Sequence, residues 1–436
     1  MKGDHISKII LQLALDILNL DRAISMAKEA VPGGVDWIEA GTPLIKSEGM
    51  EGIRELKRMF PDKKVIADMK TMDTGDFETE MASKAGADII SILGASDDST
   101  INEAIKAAKK YNSEIMVDLI NVKNKVDRAA EVQKMGARYV CIHVGIDQQM
   151  KGENPLQDIK DVKDAVNITI ATAGGLNSEN IPDVVSAGAD IVIVGGAITK
   201  SPDLLEATKR IRKSIDLAKP IESLEFRKYK KEELIEALKK VSSSNVSDAM
   251  HRGGAMKGIH TVVPGLKMAG KALTVKTMNG DWAKVVEAID LADKGDILVI
   301  DTNCGNIAVW GELATWSAFT RGLGGIVIDG AARDIDDLKE IGFPVFARYE
   351  VPDAGDPKGF GEIGCEVVCG GLKVNKGDYI IGDDSGVVVI PQEEAQEIIN
   401  RSLDVKEKEN RIREEIKRGS TLSKVLKLKK WEKIVG

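Results

Sequence analysis

The stretch VIADMKTMDTGDFE, residues 65–78, sets Asp68, Lys70 and Asp73 close together directly after a short apolar run. Two carboxylates around one ammonium can coordinate a divalent ion, set one another's protonation and move a proton. If the run is a strand, these groups stand at its C-terminal end, where parallel α/β proteins bind ligands. Other apolar runs end in the same way, with Asp16 after LQLAL, Glu39 in WIEAG, Asp118 in EIMVDLI, and His143 followed by Asp147 in YVCIHVGID. A single such histidine is most simply a core residue, but among several ionisable strand ends His143 reads as a proton-transfer group. Two further runs end in glycine pairs, Gly174-Gly175 and Gly195-Gly196. Bare backbone N–H groups at such pairs can approach a phosphate, whereas either pair alone is equally a tight turn.

These groups meet only if the runs that carry them share one sheet. The runs are ILQLALDIL (10–18), WIEAG (37–41), KVIADMK (64–70), ADIISIL (87–93), EIMVDLI (114–120), YVCIHVG (139–145), TIATAGG (169–175) and IVIVGG (191–196). Segments of helical spacing separate them, among them 97–111 and 177–187. Eight βα units predict a (β/α)8 TIM barrel; a doubly wound sheet is the competing arrangement, and the number of strands favours closure.

At 436 residues the chain has room for more than one domain, and 43% apolar with 30% charged residues is the composition of a globular protein. A net charge of −8 argues against nucleic-acid partners or an anionic membrane surface. No apolar run is long enough to span a bilayer, and the N-terminus carries no signal-peptide pattern, so a cytoplasmic location is expected. Cys141, Cys304, Cys365 and Cys369 all lie in apolar surroundings and are expected to be buried, reduced thiols. Cys365 and Cys369 lack the second ligand pair that zinc requires.

After the eighth run the composition becomes polar and charged through LAKPIESLEFRKYKKEELIEALKK. The expected division is therefore a barrel at 1–216, a linker at 217–230 and a second α/β domain at 231–436 whose C-terminal part is a charged helical tail. A helix is expected near 231–240 and another capped by Asn245 or Ser247. Strands are expected in HTVVPGLKMAGKALTVKT, GDILVIDT, GGIVIDG and FPVFARYEV, with a hairpin turning at Asp384-Ser385-Gly386. The groups capable of chemistry are Gly311-Glu312-Leu313 and the run DGAARD, with Asp329, Arg333 and Asp334. Arginine beside aspartate suits a carboxylated or phosphorylated substrate next to a metal, although such a pair on its own is usually a surface ion pair.

The D-x-K-x-x-D pattern of Asp68, Lys70 and Asp73 resembles the signature of the orotidine-monophosphate decarboxylase superfamily. Together with LALD, IEAGTPLI, HVGIDQQ and ATAGGLN it resembles the 3-hexulose-6-phosphate synthases and the related 3-keto-L-gulonate-6-phosphate decarboxylases. Ile146 and Asp147 stand where the decarboxylases tend to carry an arginine, which favours the synthases. This resemblance implies an aldol reaction of ribulose 5-phosphate with formaldehyde, in either direction, through a cis-enediolate stabilised by Mg²⁺, for which Mn²⁺ can substitute. It implies Glu39 and Asp68 as metal ligands, with Asp16, Lys70, Asp73 and His143 as catalytic groups. It further implies that Gly174, Gly175, Gly195 and Gly196 hold the phosphate, and that the barrels form a homo-oligomer in which Asp73 reaches a neighbour's site. From Val246 to Pro391 the chain resembles the RraA-like group, on SDAM, VVPGLKMAGKALTV, GDILVID, WGELAT, VIDGAARD, PVFAR and GDDSGVVVIP. That likeness implies a divalent ion on Asp334 and substrate held by Arg333 and the backbone of Gly311, Glu312 and Leu313. It leaves open a 2-oxoacid aldolase or a non-enzymatic regulatory or assembly module.

Overall fold

The eight runs are apolar at nearly every position, which gives each strand two apolar faces, and that is what a barrel wrapped by helices demands. In the computed structural model, which describes residues 8–150, 155–223 and 227–426, every one of these runs is a strand. They are β1 (Ile10–Leu15), β2 (Trp37–Ala40), β3 (Lys64–Thr71), β4 (Ile89–Leu93), β5 (Glu114–Asp118), β6 (Tyr139–His143), β7 (Thr169–Ala173) and β8 (Ile191–Val194). All pair in parallel in chain order, and β8 returns to β1, so the barrel is closed.

The inward face is filled by Ala14, Ile66, Ile89, Met116, Cys141 and Ile191. The outward face, including Leu11, Leu13, Leu15 and Ile38, packs beneath the surrounding helices. Each of these large aliphatic side chains contributes about 1.5–3 kcal/mol on burial. At the N-terminal ends of the strands the bore is stopped by Trp37, Lys64, Glu114 and Tyr139. The Tyr139 hydroxyl donates to Glu114 Oε2 at 2.8 Å, Lys64 Nζ donates to the same oxygen at 3.1 Å, and the Trp37 and Tyr139 rings meet edge to face. Only the opposite end remains open for ligands.

Helix Asp98–Lys110 begins where expected because Asp97 accepts from the Ser99 amide at 2.8 Å. The segment expected as helix from 177 is helical only over Ile181–Ser186. Asn177 is used instead in a turn, its amide donating to Asn180 Oδ1 and its own Oδ1 accepting from the Glu179 amide, both at 2.9 Å.

The second half forms a mixed sheet from β9 (His260–Thr261), β10 (Met268–Thr277), β11 (Ile297–Asp301), β12 (Ala308–Trp310), β13 (Gly325–Ala332), β14 (Val345–Glu350), β15 (Gly361–Ile363), β18 (Tyr379–Asp383) and β19 (Gly386–Ile390). Its main path runs β19-β18-β10-β11-β13-β14-β9, with β12 on β13 and β15 on β10. The links β10-β11, β11-β13 and β13-β14 are parallel. A short ribbon of β16 (Val367–Cys369) and β17 (Leu372–Val374) accompanies it. The break at Pro264-Gly265 and the hairpin turn between β18 and β19 lie where the sequence puts them. The helix cap does not: Ser242 caps helix Ser243–Ala249, exchanging hydrogen bonds with Asn245, three residues on.

The described residues fall into two compact units, one running to Lys228 and resuming at Glu407, the other spanning Tyr229–Lys406. The outer tail, expected with the second domain, thus groups with the barrel. The reason is Arg411, which is 5% exposed and donates to Glu29 Oε2 at 3.3 Å and to the Pro202 carbonyl at 3.2 Å. The cysteines also differ from expectation: Cys141 and Cys369 are buried, but Cys304 is exposed and Cys365 half-buried, because both lie in loops between strands. No helix among the described residues is long and apolar enough to cross a membrane.

Ile66 is wholly buried inside the barrel. Ile66→Ala is expected to cost about 2–5 kcal/mol, read as a lower urea midpoint for unfolding of the first unit.

Candidate active site

The site begins with an irregularity in β3. The ladder to β4 pairs Asp68 with Ser91 and then Thr71 with Ile92, so the strand slips between them. Within the slip, Lys70 takes φ 47°, a left-handed conformation costly for a side chain of this size. Its ammonium lies over Asp68, with Nζ 3.0 and 2.8 Å from the two carboxylate oxygens, and reaches Asp118 Oδ2 at 3.3 Å. The Thr42 hydroxyl lies 2.8 Å from both the carbonyl and Oδ2 of Asp68 and pins that carboxylate from the first residue of helix Thr42–Glu48.

Asp118, at the end of β5, joins this pair to the histidine. It is 2% exposed; Oδ2 is 2.8 Å from His143 Nδ1, and Oδ1 accepts from the Ile120 amide at 2.9 Å. Burial alone would raise its pKa, but the His143 hydrogen bond and the His143 and Lys70 charges outweigh burial and hold Asp118 below the usual carboxylate range. Burial likewise works against the Lys70 charge, and Asp68 and Asp118 more than offset it, so Lys70 stays an ammonium. With Nδ1 anchored on a carboxylate, Nε2 of His143 is the ring nitrogen left to exchange a proton.

Glu39 and Asp16 complete the cluster from β2 and the end of β1. Burial, followed by the charges of Asp68 and Asp16, pushes Glu39 well above its ordinary value. Asp16 retains solvent access at the mouth yet is crowded by protein, and that crowding together with Asp68 raises it too. Gly41 is required here, since a Cβ on it would fall 2.3 Å from Asp16 Oδ1. These carboxylates repel one another, with Lys70 and, beside Asp16, Lys200 as the ammonium groups that offset them. Glu39 and Asp68 fit an ion such as Mg²⁺, which takes oxygen ligands and keeps places for water and substrate. Among the described residues no group of three or more His, Cys, Asp or Glu side chains is arranged to hold a metal ion.

The glycine pairs behave differently from one another. Gly174 and Gly175 have φ 105° and 66°, and a Cβ on Gly174 would strike the Val144 carbonyl at 2.3 Å. At Gly195 and Gly196 a Cβ would meet nothing nearer than 3.5 Å, ordinary van der Waals contact with Ala14, Asp16 and Lys200, so no steric demand fixes these glycines. Asp73 stands apart: it is exposed, its Oδ1 accepts from the Thr74 amide at 2.7 Å, and it does not join the cluster of its own chain.

In the second unit the structure brings together the two segments singled out. The Arg333 amide donates to the Trp310 carbonyl at 3.0 Å, and Asp334 Oδ2 accepts from the Glu312 amide at 3.1 Å. Asp334 therefore sits on the N-terminus of helix Glu312–Arg321, with Arg333 Nε 3.5 Å away. A Cβ on Gly311 would lie 2.4 Å from that carboxylate, and Leu313 is 80% exposed beside it. Asp329 is engaged elsewhere: Arg348 Nε donates to it at 2.5 Å and the Gly370 amide at 2.7 Å. A separate cleft of about 860 Å³, lined by Asp301, Cys304, Asp329 and Arg348 among others, does not include Arg333 or Asp334.

The barrel region is 44% identical over 206 residues to the 3-hexulose-6-phosphate synthase of Bacillus subtilis, covering 47% of this chain and 98% of the relative. Residues 10–211 match the model of the orotidine 5'-phosphate decarboxylase / HUMPS family. The chain belongs to that family. A second relative, the 3-hexulose-6-phosphate synthase of Mycobacterium gastri, is 43% identical over 205 residues, covering 47% of this chain and 99% of its own. A crystal structure of 3-hexulose-6-phosphate synthase from Salmonella typhimurium aligns at 37% identity and TM-score 0.47, covering 48% of this chain and 100% of its own. This family member carries a further domain, for residues 243–389 match the RraA-like (Aldolase/RraA) model.

The sequence reading placed Asp118 at a strand end without a role, and it missed Thr42 and Gln12. Thr42 has no signal in one sequence. Gln12 has one: it is the polar residue within the apolar run ILQLAL.

A carboxyl whose pKa is raised in the folded state confers stability at low pH that is lost as pH rises through the folded value. Glu39→Gln is therefore expected to raise the metal-free melting temperature of the first unit at pH 8, by about 2–4 °C per kcal/mol relieved, with the gain shrinking toward pH 5. Calorimetry across that range checks it.

Proposed function

We propose that the first unit catalyses the reversible aldol addition of formaldehyde to D-ribulose 5-phosphate, giving D-arabino-hex-3-ulose 6-phosphate. The observation that carries this reading is Asp118 bridging Lys70 and His143 at the barrel mouth, in a chain 44% identical to a 3-hexulose-6-phosphate synthase. Glu39 and Asp68 are the residues that would hold Mg²⁺, with Mn²⁺ as a substitute. The bound ion supplies positive charge where the sugar oxygens become negative.

His143 Nε2 takes a proton from C1 of ribulose 5-phosphate, and the electron pair left behind forms an enediolate across C1 and C2. Asp118 stabilises the imidazolium this creates, and Lys70 offsets the charge on the enediolate. C1 then bonds to the formaldehyde carbon, and His143 returns its proton to the former aldehyde oxygen. Asp16 orients a sugar hydroxyl or Lys70. The backbone at Gly174, Gly175, Gly195 and Gly196 receives the phosphate. Asp73, near Met72 and Phe77 in the chain, which are 55% and 64% exposed, would complete the site of a second copy in a homo-oligomer. No chemistry here calls for a nucleic-acid or membrane partner, and a cytoplasmic enzyme fits the reading.

The second unit is proposed to bind a 2-oxoacid, with Arg333 receiving the carboxylate beside Asp334 and the Gly311-Glu312-Leu313 backbone. The test is pyruvate release from 4-hydroxy-4-methyl-2-oxoglutarate with Mg²⁺. Asp334→Ala is expected to abolish it, and a wild-type chain without this activity makes the domain a regulatory or assembly module.

For the barrel, formaldehyde-dependent loss of ribulose 5-phosphate is expected with Mg²⁺, to be abolished by EDTA and by Asp68→Ala. Asp118→Asn is expected to lower kcat about 10²–10⁴-fold. A folded wild-type chain inert in this assay but active on 3-keto-L-gulonate 6-phosphate would move the assignment to that decarboxylation.

A further inference from the structure

Among the apolar side chains that fill the barrel bore, one polar residue has no need to be polar for packing. Gln12 is 0% exposed on β1, in the company of Ala14, Ile66, Met116 and Cys141. Its Nε2 donates to Glu39 Oε2, and Gln12 is the only side chain that hydrogen-bonds Glu39 among the described residues. The other end of the amide is unsatisfied, since Oε1 is buried without a hydrogen-bond partner. A buried acceptor left unpaired costs about 1–3 kcal/mol, so a methionine or leucine here would favour folding. The polar residue works against stability and is tied to one carboxylate.

The register shows from which side it acts. Ala14 pairs with Glu39 and Gln12 with Trp37, so Gln12 lies one inward step closer to the stopped end of the barrel than the carboxylate it holds. We propose that Gln12 is a positioning residue for Glu39: its amide grips one carboxylate oxygen from below and so orients the group toward a divalent cation at the mouth. This rests on the reading of Glu39 as a ligand of Mg²⁺. A carboxylate without such a partner turns about its terminal bond, and outer partners that orient metal ligands are worth about 10–100-fold in metal affinity.

The test uses full-length Gln12→Met, which keeps the unbranched shape, and Gln12→Leu, with Mn²⁺ as the probe. Mn²⁺ affinity is measured by electron paramagnetic resonance or calorimetry, alongside the metal-free melting temperature. Expected is Mn²⁺ binding weakened about 10–100-fold with an unchanged or higher melting temperature in at least one variant. Mn²⁺ affinity within twofold of wild type in a folded variant overturns the proposal. Weakened binding accompanied by a lower melting temperature in both variants also overturns it, assigning Gln12 to packing. A wild-type chain that binds no Mn²⁺ overturns the metal reading itself and this inference with it, an outcome distinct from the other two.

Discussion

The first unit depends on a buried carboxylate that is shared. Asp118 holds the Lys70 ammonium with the same oxygen that holds His143, and those two partners together with the Ile120 amide outweigh burial and keep its pKa below the usual carboxylate range. An unpaired charge in that position would cost several kcal/mol, so the anion, the cation and the imidazole are mutually required. The strain of Lys70 in the left-handed region belongs to the same arrangement, since the ammonium so carried lies on Asp68 and Asp118.

Around that trio the fold concentrates negative charge and apolar bulk in separate places. The stopped end of the barrel uses rings, a lysine and a glutamate to exclude water, and the aliphatic middle fills the bore. The open end gathers Asp16, Glu39, Asp68 and Asp118, with Lys70, His143 and, beside Asp16, Lys200 as the positive charges that act on them. Carboxylates gathered in this way repel one another, so the open end works against the stability that the apolar bore supplies.

The second unit solves a smaller version of the problem with backbone. A single carboxylate, Asp334, is stabilised by a helix amide and an adjacent arginine, while the nearby Asp329 is consumed in holding Arg348 and the loop at Gly370. Two aspartates in one short motif thus have unlike tasks, and only their partners distinguish them.

By itself the sequence determined the eight barrel strands, because eight near-continuous apolar runs separated by segments of helical spacing have few other ways to be buried, and it marked Asp16, Glu39, Asp68, Lys70 and His143 as groups at strand ends. It also indicated the second domain's strands and the proximity of Arg333 to Asp334. Tertiary structure alone decided which of those groups touch: that Asp118 bridges Lys70 and His143, that Gln12 lies under Glu39, that Asp73 stands outside the cluster of its own chain, and that the tail beyond Glu407 groups with the barrel unit. The helix cap moved to Ser242 and Cys304 came out exposed for the same reason. Periodicity reports which face of an element is buried, whereas hydrogen bonds between strands and loops far apart in the chain depend on the register of the barrel and the path of each loop, which no local pattern encodes.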